Sequence, residues 1–213
     1  MVPSPGKFIT LEGGEGTGKS TQTRLLRDAL QQRGLGVVLT REPGGAPGAE
    51  SIRKLLVEGH AARWDAMSEA LLLFAARRNH LRETIVPALA RGDWVICDRF
   101  TDSTYAYQGD AGGLGRATIA RLAEIALGTD SPQPDITLVL DLPVDAGLAR
   151  AAARGGAENR FESLGAEFHQ KLRDSFLQIA KREPARCVLI DAAPRPETVA
   201  AAILSVISSR FGI

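Results

Sequence analysis

Near the start of the chain, Gly13-Gly14-Glu15-Gly16-Thr17-Gly18-Lys19-Ser20-Thr21 combines flexible backbone, a cation and hydroxyls in one short loop. Gly13 and Gly18, followed at once by Lys19 and Ser20, complete the spacing of a P-loop. Its glycines let backbone N–H groups turn inward on a polyphosphate, its lysine neutralises phosphate oxygens, and its serine hydroxyl can hold Mg2+. The chemistry implied is binding of a magnesium-complexed nucleoside triphosphate. Glu15 is the odd member, because a carboxylate inside such a loop repels phosphate unless it faces something else.

Other residues could complete a transfer reaction. Asp98 ends the apolar run Trp94-Val95-Ile96-Cys97, where a P-loop enzyme places the acid that orders magnesium; a helix cap or a structural ion pair would use the same residue equally well. Arg99 follows, and a planar guanidinium can fork onto a second phosphate. Phe74 and Arg77 stand three apart, so on a helix they share a face that could hold a nucleobase; a core phenylalanine beside a solvated arginine reads the same way. Arg150 and Arg154 lie four apart, ahead of Gly155-Gly156 and Arg160, which suits a lid over the triphosphate as well as a solvated basic face. No guanine-reading Asn-Lys-x-Asp occurs, which favours a phosphotransferase over a GTPase switch.

The elements that must position these groups follow from hydrophobic patterning. Five runs, at 8–12, 37–40, 94–98, 136–141 and 187–191, are apolar without alternation, as strands buried on both faces of a parallel sheet are. Helical periodicity follows the glycine loop, continues across a long segment from Leu71 to Leu89, and returns near 116–127, 144–154, 164–182 and 196–210. Alternating strands and helices give a doubly wound α/β fold, here the three-layer P-loop arrangement with a five-stranded parallel sheet and a short lid. The Gly and Pro clusters at 43–48, 109–115 and 155–156 read as loops at its edge.

Composition bounds the function. At 213 residues, with 44% hydrophobic and 24% charged side chains, the chain suits a single domain over 1–213. Its 26 basic residues nearly cancel 25 acidic ones, so a nucleic acid polymer or an anionic membrane surface is not expected as partner. Cys97 and Cys187 form no C-x-x-C and sit in apolar runs, as buried thiols in a reducing compartment do. The N-terminus has no apolar core of signal-peptide length, and no run approaches the roughly 20 residues of a membrane span. A cytoplasmic protein is expected.

Thr40-Arg41-Glu42-Pro43-Gly44-Gly45, the segment Phe74 to Leu81, Asp98 to Gly109 and Asp141 to Gly155 occur in the order and approximate spacing of bacterial thymidylate kinases, which the chain resembles from P-loop to lid. The resemblance implies transfer of the γ-phosphoryl of ATP to thymidine monophosphate (dTMP) with Mg2+, in dTTP biosynthesis, by a homodimer. It implies that Phe74 stacks on the base, Arg77 bonds a base carbonyl, Arg99 grips the acceptor phosphate, Thr104 and Gln108 finish base recognition, and Tyr107 crowds the 2′ position. Arg41 and Pro43 come near the acceptor. Relatives often space the aromatic and the arginine by four, so Arg78 competes with Arg77. The P-loop interior lacks an arginine, which puts the chain with members that use lid arginines, here Arg150 and Arg154 in a lid of about 148–162. Glu15 is then expected at the acceptor's 3′-hydroxyl, with a lid arginine as the alternative partner. The competing functions are another nucleoside monophosphate or deoxynucleoside kinase on this fold and a non-catalytic P-loop binding protein.

Overall fold

The computed structural model describes residues 6–59, 63–154 and 164–213. The apolar runs form β1 (Phe8–Glu12), β2 (Val37–Arg41), β3 (Trp94–Asp98), β4 (Ile136–Asp141) and β5 (Cys187–Asp191), all parallel in the order β2-β3-β1-β4-β5. Side chains alternate between two cores, as the period of two requires. Ile9, Leu11, Trp94 and Ile96 face one, with Leu26 and Leu30 of α1 (Lys19–Gln32) and with residues of the C-terminal helix. Phe8, Val95 and Cys97 face the other, with Phe74, Phe100 and Ile119. Cys97 and Cys187 are buried and unbridged.

Around the sheet lie α2 (Pro47–Val57), α3 (Ala66–His80), α4 (Val86–Ala90), α5 (Thr101–Thr104), α6 (Arg116–Leu127), α7 (Val144–Arg154), α8 (Ala166–Arg182) and α9 (Pro196–Phe211). The long middle helix is α3 and α4 joined by a π-helical turn, Leu81–Ile85. A second π segment, Tyr105–Ala111, takes up the start of the expected loop at 109–115. The segment at 43–48 is a loop only in part: Pro47 starts α2, because a proline lacks a donor that the first helical turn would leave unpaired anyway. Most of the expected lid, at 155–163, lies outside the described residues. Leu11 pairs with Asp98 in register, and Arg41 also pairs with Asp98, so the segments that follow β1, β2 and β3 emerge side by side at the carboxyl edge.

Candidate active site

The loop after β1 is held by glycines at Gly13, Gly16 and Gly18, whose φ values of 137°, 69° and 89° are ones side-chain-bearing residues rarely adopt. A Cβ on Gly13 would strike the Leu140 carbonyl and one on Gly16 the Gly147 carbonyl, so β4 and α7 press directly on the loop. Gly14 faces open space. Lys19 Nζ donates to the carbonyls of Gly13 at 3.1 Å and Gly14 at 2.7 Å and to Thr17 Oγ1 at 3.4 Å. Burial, with the Arg99 charge nearby, lowers the Lys19 ammonium to about 8. Thr21 lies in the first turn of α1, its N–H bonded to the Gly18 carbonyl at 3.0 Å.

Ser20 Oγ donates to Asp98 Oδ2 at 2.6 Å, bringing the two expected metal-binding residues together. That hydroxyl and carboxylate suit Mg2+, which binds through one or two protein oxygens and completes its shell with phosphate and water. Beside them Arg99 has φ of 70°, the single positive φ among the described non-glycine residues. Its Nη1 donates to the Gly13 carbonyl at 2.9 Å and to Ser103 Oγ at 3.1 Å, and its Nη2 to Glu15 Oε1 at 3.0 Å. Of five N–H donors, Nε–H and one Nη2–H remain for a phosphate oxygen. Tyr107 O–H donates to the same Glu15 oxygen at 2.7 Å. Burial alone would raise the Glu15 carboxyl, but the charges of Arg99 and Lys19 and the Tyr107 bond outweigh it and hold Glu15 at about 2. Among the described residues, the hydrogen-bond partners of Glu15 are Arg99 and Tyr107.

Sequence reasoning missed Glu12, the last residue of β1, which has no exposed surface. It accepts from the Phe100 N–H at 2.7 Å and from Ser103 Oγ at 2.6 Å, clamping the turn that presents Arg99. Burial, followed by repulsion from Asp102, raises it to about 8. Nothing local in Phe-Ile-Thr-Leu-Glu announces partners some 90 residues away.

Side chains of α3 meet the segment that follows β3. Arg77, 1% exposed, donates Nε to Glu42 Oε2 at 2.6 Å and Nη2 to the Phe100 carbonyl at 3.1 Å and Thr104 Oγ1 at 3.0 Å. Glu42 is held in turn by His80, whose other ring nitrogen meets Thr40 Oγ1 at 2.7 Å. Two turns earlier on α3, Glu69 Oε2 accepts from Gln108 Nε2 at 2.9 Å. Two buried atoms here have no partner among the described residues: Arg77 Nη1, a donor, and Gln108 Oε1, an acceptor. Arg78 turns the other way and caps α6 through the carbonyls of Ala126 and Leu127.

The expectation for Phe74 is corrected. Its ring is 2% exposed and packed in the core with Phe100 and Val95, under the Arg77 guanidinium at 5.1 Å. A base has no free ring face there. Leu73, four residues from both Glu69 and Arg77, shares their face of α3, is half-buried and joins none of the core clusters.

The remaining candidates lie further out. Arg41 pairs with Glu50 at 3.2 Å on the surface, and the Pro43 carbonyl accepts from Arg53 at 2.7 Å. Arg150 donates to the carbonyls of Ala192 at 2.8 Å and Ala193 at 2.9 Å, tying α7 to the loop after β5. Arg154 ends α7, and its side chain is outside the described part.

A known family model, that of thymidylate kinase, matches the chain over residues 11–203. The chain belongs to the thymidylate kinase family. It is 55% identical to the thymidylate kinase of Caulobacter vibrioides over 98% of this chain and 99% of that one. It is 52% identical to that of Rhodopseudomonas palustris, over 97% and 90%. A solved thymidylate kinase from Ehrlichia chaffeensis superposes with a TM-score of 0.78 at 34% identity, over 96% of this chain and 100% of the other. The family's P-loop fold is the fold described above.

Proposed function

We propose that the chain transfers the γ-phosphoryl of Mg-ATP to dTMP, giving thymidine diphosphate for dTTP synthesis. The observation that carries the reading is the pair of orphaned atoms between α3 and the segment 101–111, where we place a slot for the base. Arg77 Nη1 offers a donor and Gln108 Oε1 an acceptor, and thymine presents the complement, a carbonyl at position 4 beside an N–H at position 3. Both atoms are buried and unpaired, a costly state of about 1–3 kcal/mol each that a base would relieve.

The chain's own groups divide the work. Backbone N–H groups from Gly13 to Thr21 and the α1 dipole cradle the donor phosphates, and Lys19 leaves its loop carbonyls for phosphate oxygens. Ser20 and Asp98 hold Mg2+, which when bound neutralises charge on the β- and γ-phosphates. Arg99 keeps two donors for the acceptor phosphate, and Glu15, beside Tyr107, takes the sugar's 3′-hydroxyl. Leu73 forms the apolar wall for the base, with Thr104 at one end of the slot. Arg41 and Pro43 border the acceptor, and Arg150 and Arg154 belong to the lid that closes over ATP.

No helix among the described residues is long and apolar enough to cross a membrane, and we place the enzyme in the cytoplasm. We also assign it a homodimer: Met67 and Leu71 on α3, Val86 on α4 and Ile125 on α6 are exposed, Ile125 by 79% and Leu71 by 53%, an apolar surface suited to a second copy. A coupled ADP-release assay with a panel of nucleosides and monophosphates tests the function; turnover is expected with dTMP. Release of ADP with another acceptor but not dTMP would make the chain a different kinase, and ATP binding without turnover would make it a binding protein.

A further inference from the structure

We propose that Glu69 sets the base preference of the slot by fixing which end of the Gln108 amide faces the ligand. The inference rests on the slot being the base site. Gln108 Nε2 donates to Glu69 Oε2 at 2.9 Å, so the amide NH2 points at Glu69. Oε1 must then point away, and it is this oxygen that is buried without a partner.

The arrangement encodes hydrogen-bond polarity. A base with an N–H at position 3 and a carbonyl at position 4 satisfies both Gln108 Oε1 and Arg77 Nη1. Cytosine reverses both groups, with an acceptor at position 3 and an amino group at position 4. Arg77 has no acceptor and cannot adapt. Gln108 could adapt by a half-turn of its amide, which would present NH2 to the cytosine ring nitrogen. Glu69 prevents that turn, because it would set a carbonyl oxygen against a carboxylate in a buried place: Glu69 is 9% exposed and Gln108 2%. Glu69 thus acts through Gln108 as a positioning residue, and its effect is on selectivity more than on rate.

The test is kcat/KM for dTMP and for 2′-deoxycytidine monophosphate, with ATP, in Glu69→Gln and Glu69→Met. A glutamine can donate or accept and a methionine does neither, so each frees the Gln108 amide. The ratio of dTMP to deoxycytidine monophosphate is expected to fall by about tenfold in both, since a single buried mismatch of polarity is relieved. Exchanging the two side chains, Glu69→Gln with Gln108→Glu, is expected to restore the ratio, because a carboxylate at 108 presents an acceptor however it turns. Circular dichroism confirms folding of each variant. An equal loss on both acceptors, or an unchanged ratio in a folded variant, would overturn the proposal and reduce the contact to a structural tie between α3 and the 105–111 segment. Wild-type enzyme inactive on dTMP would instead refute the base-site reading itself.

Discussion

Glu15→Gln removes one negative charge from beside Arg99, Lys19 and Tyr107 while keeping the shape of the side chain. In the native state the Glu15 carboxyl lies at about 2, against 4.5 for a free glutamate. At roughly 1.4 kcal/mol per pH unit this difference amounts to about 3 kcal/mol of folding stability at neutral pH. The sign follows from the folded value being depressed: the contribution is complete above pH 4.5 and is lost as pH falls toward 2. Wild type should therefore exceed Glu15→Gln by about 3 kcal/mol at pH 7 and by only about 1 kcal/mol at pH 3. Urea unfolding followed by tryptophan fluorescence at both pH values measures the gap. A gap of the same size at pH 7 and pH 3 would refute the reasoning, because a loss of shape or packing does not titrate. With dTMP as acceptor the same variant should lose part of its advantage over the 3′-deoxy analogue, since a charged bond to the 3′-hydroxyl becomes a neutral one.

Lys19→Ala should lower kcat/KM by about 10- to 150-fold with the fold intact. In wild type kcat/KM for ATP should decline as pH rises through about 8, where Lys19 loses its proton in the free enzyme. Arg99→Ala should weaken use of the acceptor by a similar factor, seen chiefly in the dTMP kinetics and little in ATP binding. Arg150→Ala should lower kcat more than it raises KM for ATP; normal kinetics with a lower Tm would make its bonds to Ala192 and Ala193 a structural tie alone.

The sheet and the P-loop were legible because both are backbone requirements written in local residue types: apolar β-branched runs, and glycines where φ must be positive. The place of Asp98 and Arg99 at the end of β3, beside the P-loop, was legible because a strand end is easy to find. The buried carboxylates were not. Glu12, Glu42 and Glu69 act on Ser103, Arg77 and Gln108, partners brought near only by the crossing of helices over the sheet. Pattern reasoning reads a glutamate as surface, since an unpartnered polar group is costly to bury, and each of these is hydrogen-bonded. Helix α2 was passed over because Pro47 and Gly48 look like breakers when they are a start. Phe74 turned out to face the core because one position on a helix is a turn of 100°, and the aromatic letter does not say which side it faces.

At Arg99 the backbone and the side chain make opposite demands. A φ of 70° is comfortable for glycine and strained for a long side chain, yet the guanidinium holds Gly13, Ser103 and Glu15 at once. Glycine would ease the main chain and abandon the three partners of the side chain; lysine would keep a charge, lose the fork and inherit the strain. No single replacement can be neutral on both counts. Directed evolution of this enzyme toward other acceptors should therefore move through the slot on α3 and leave the end of β3 untouched.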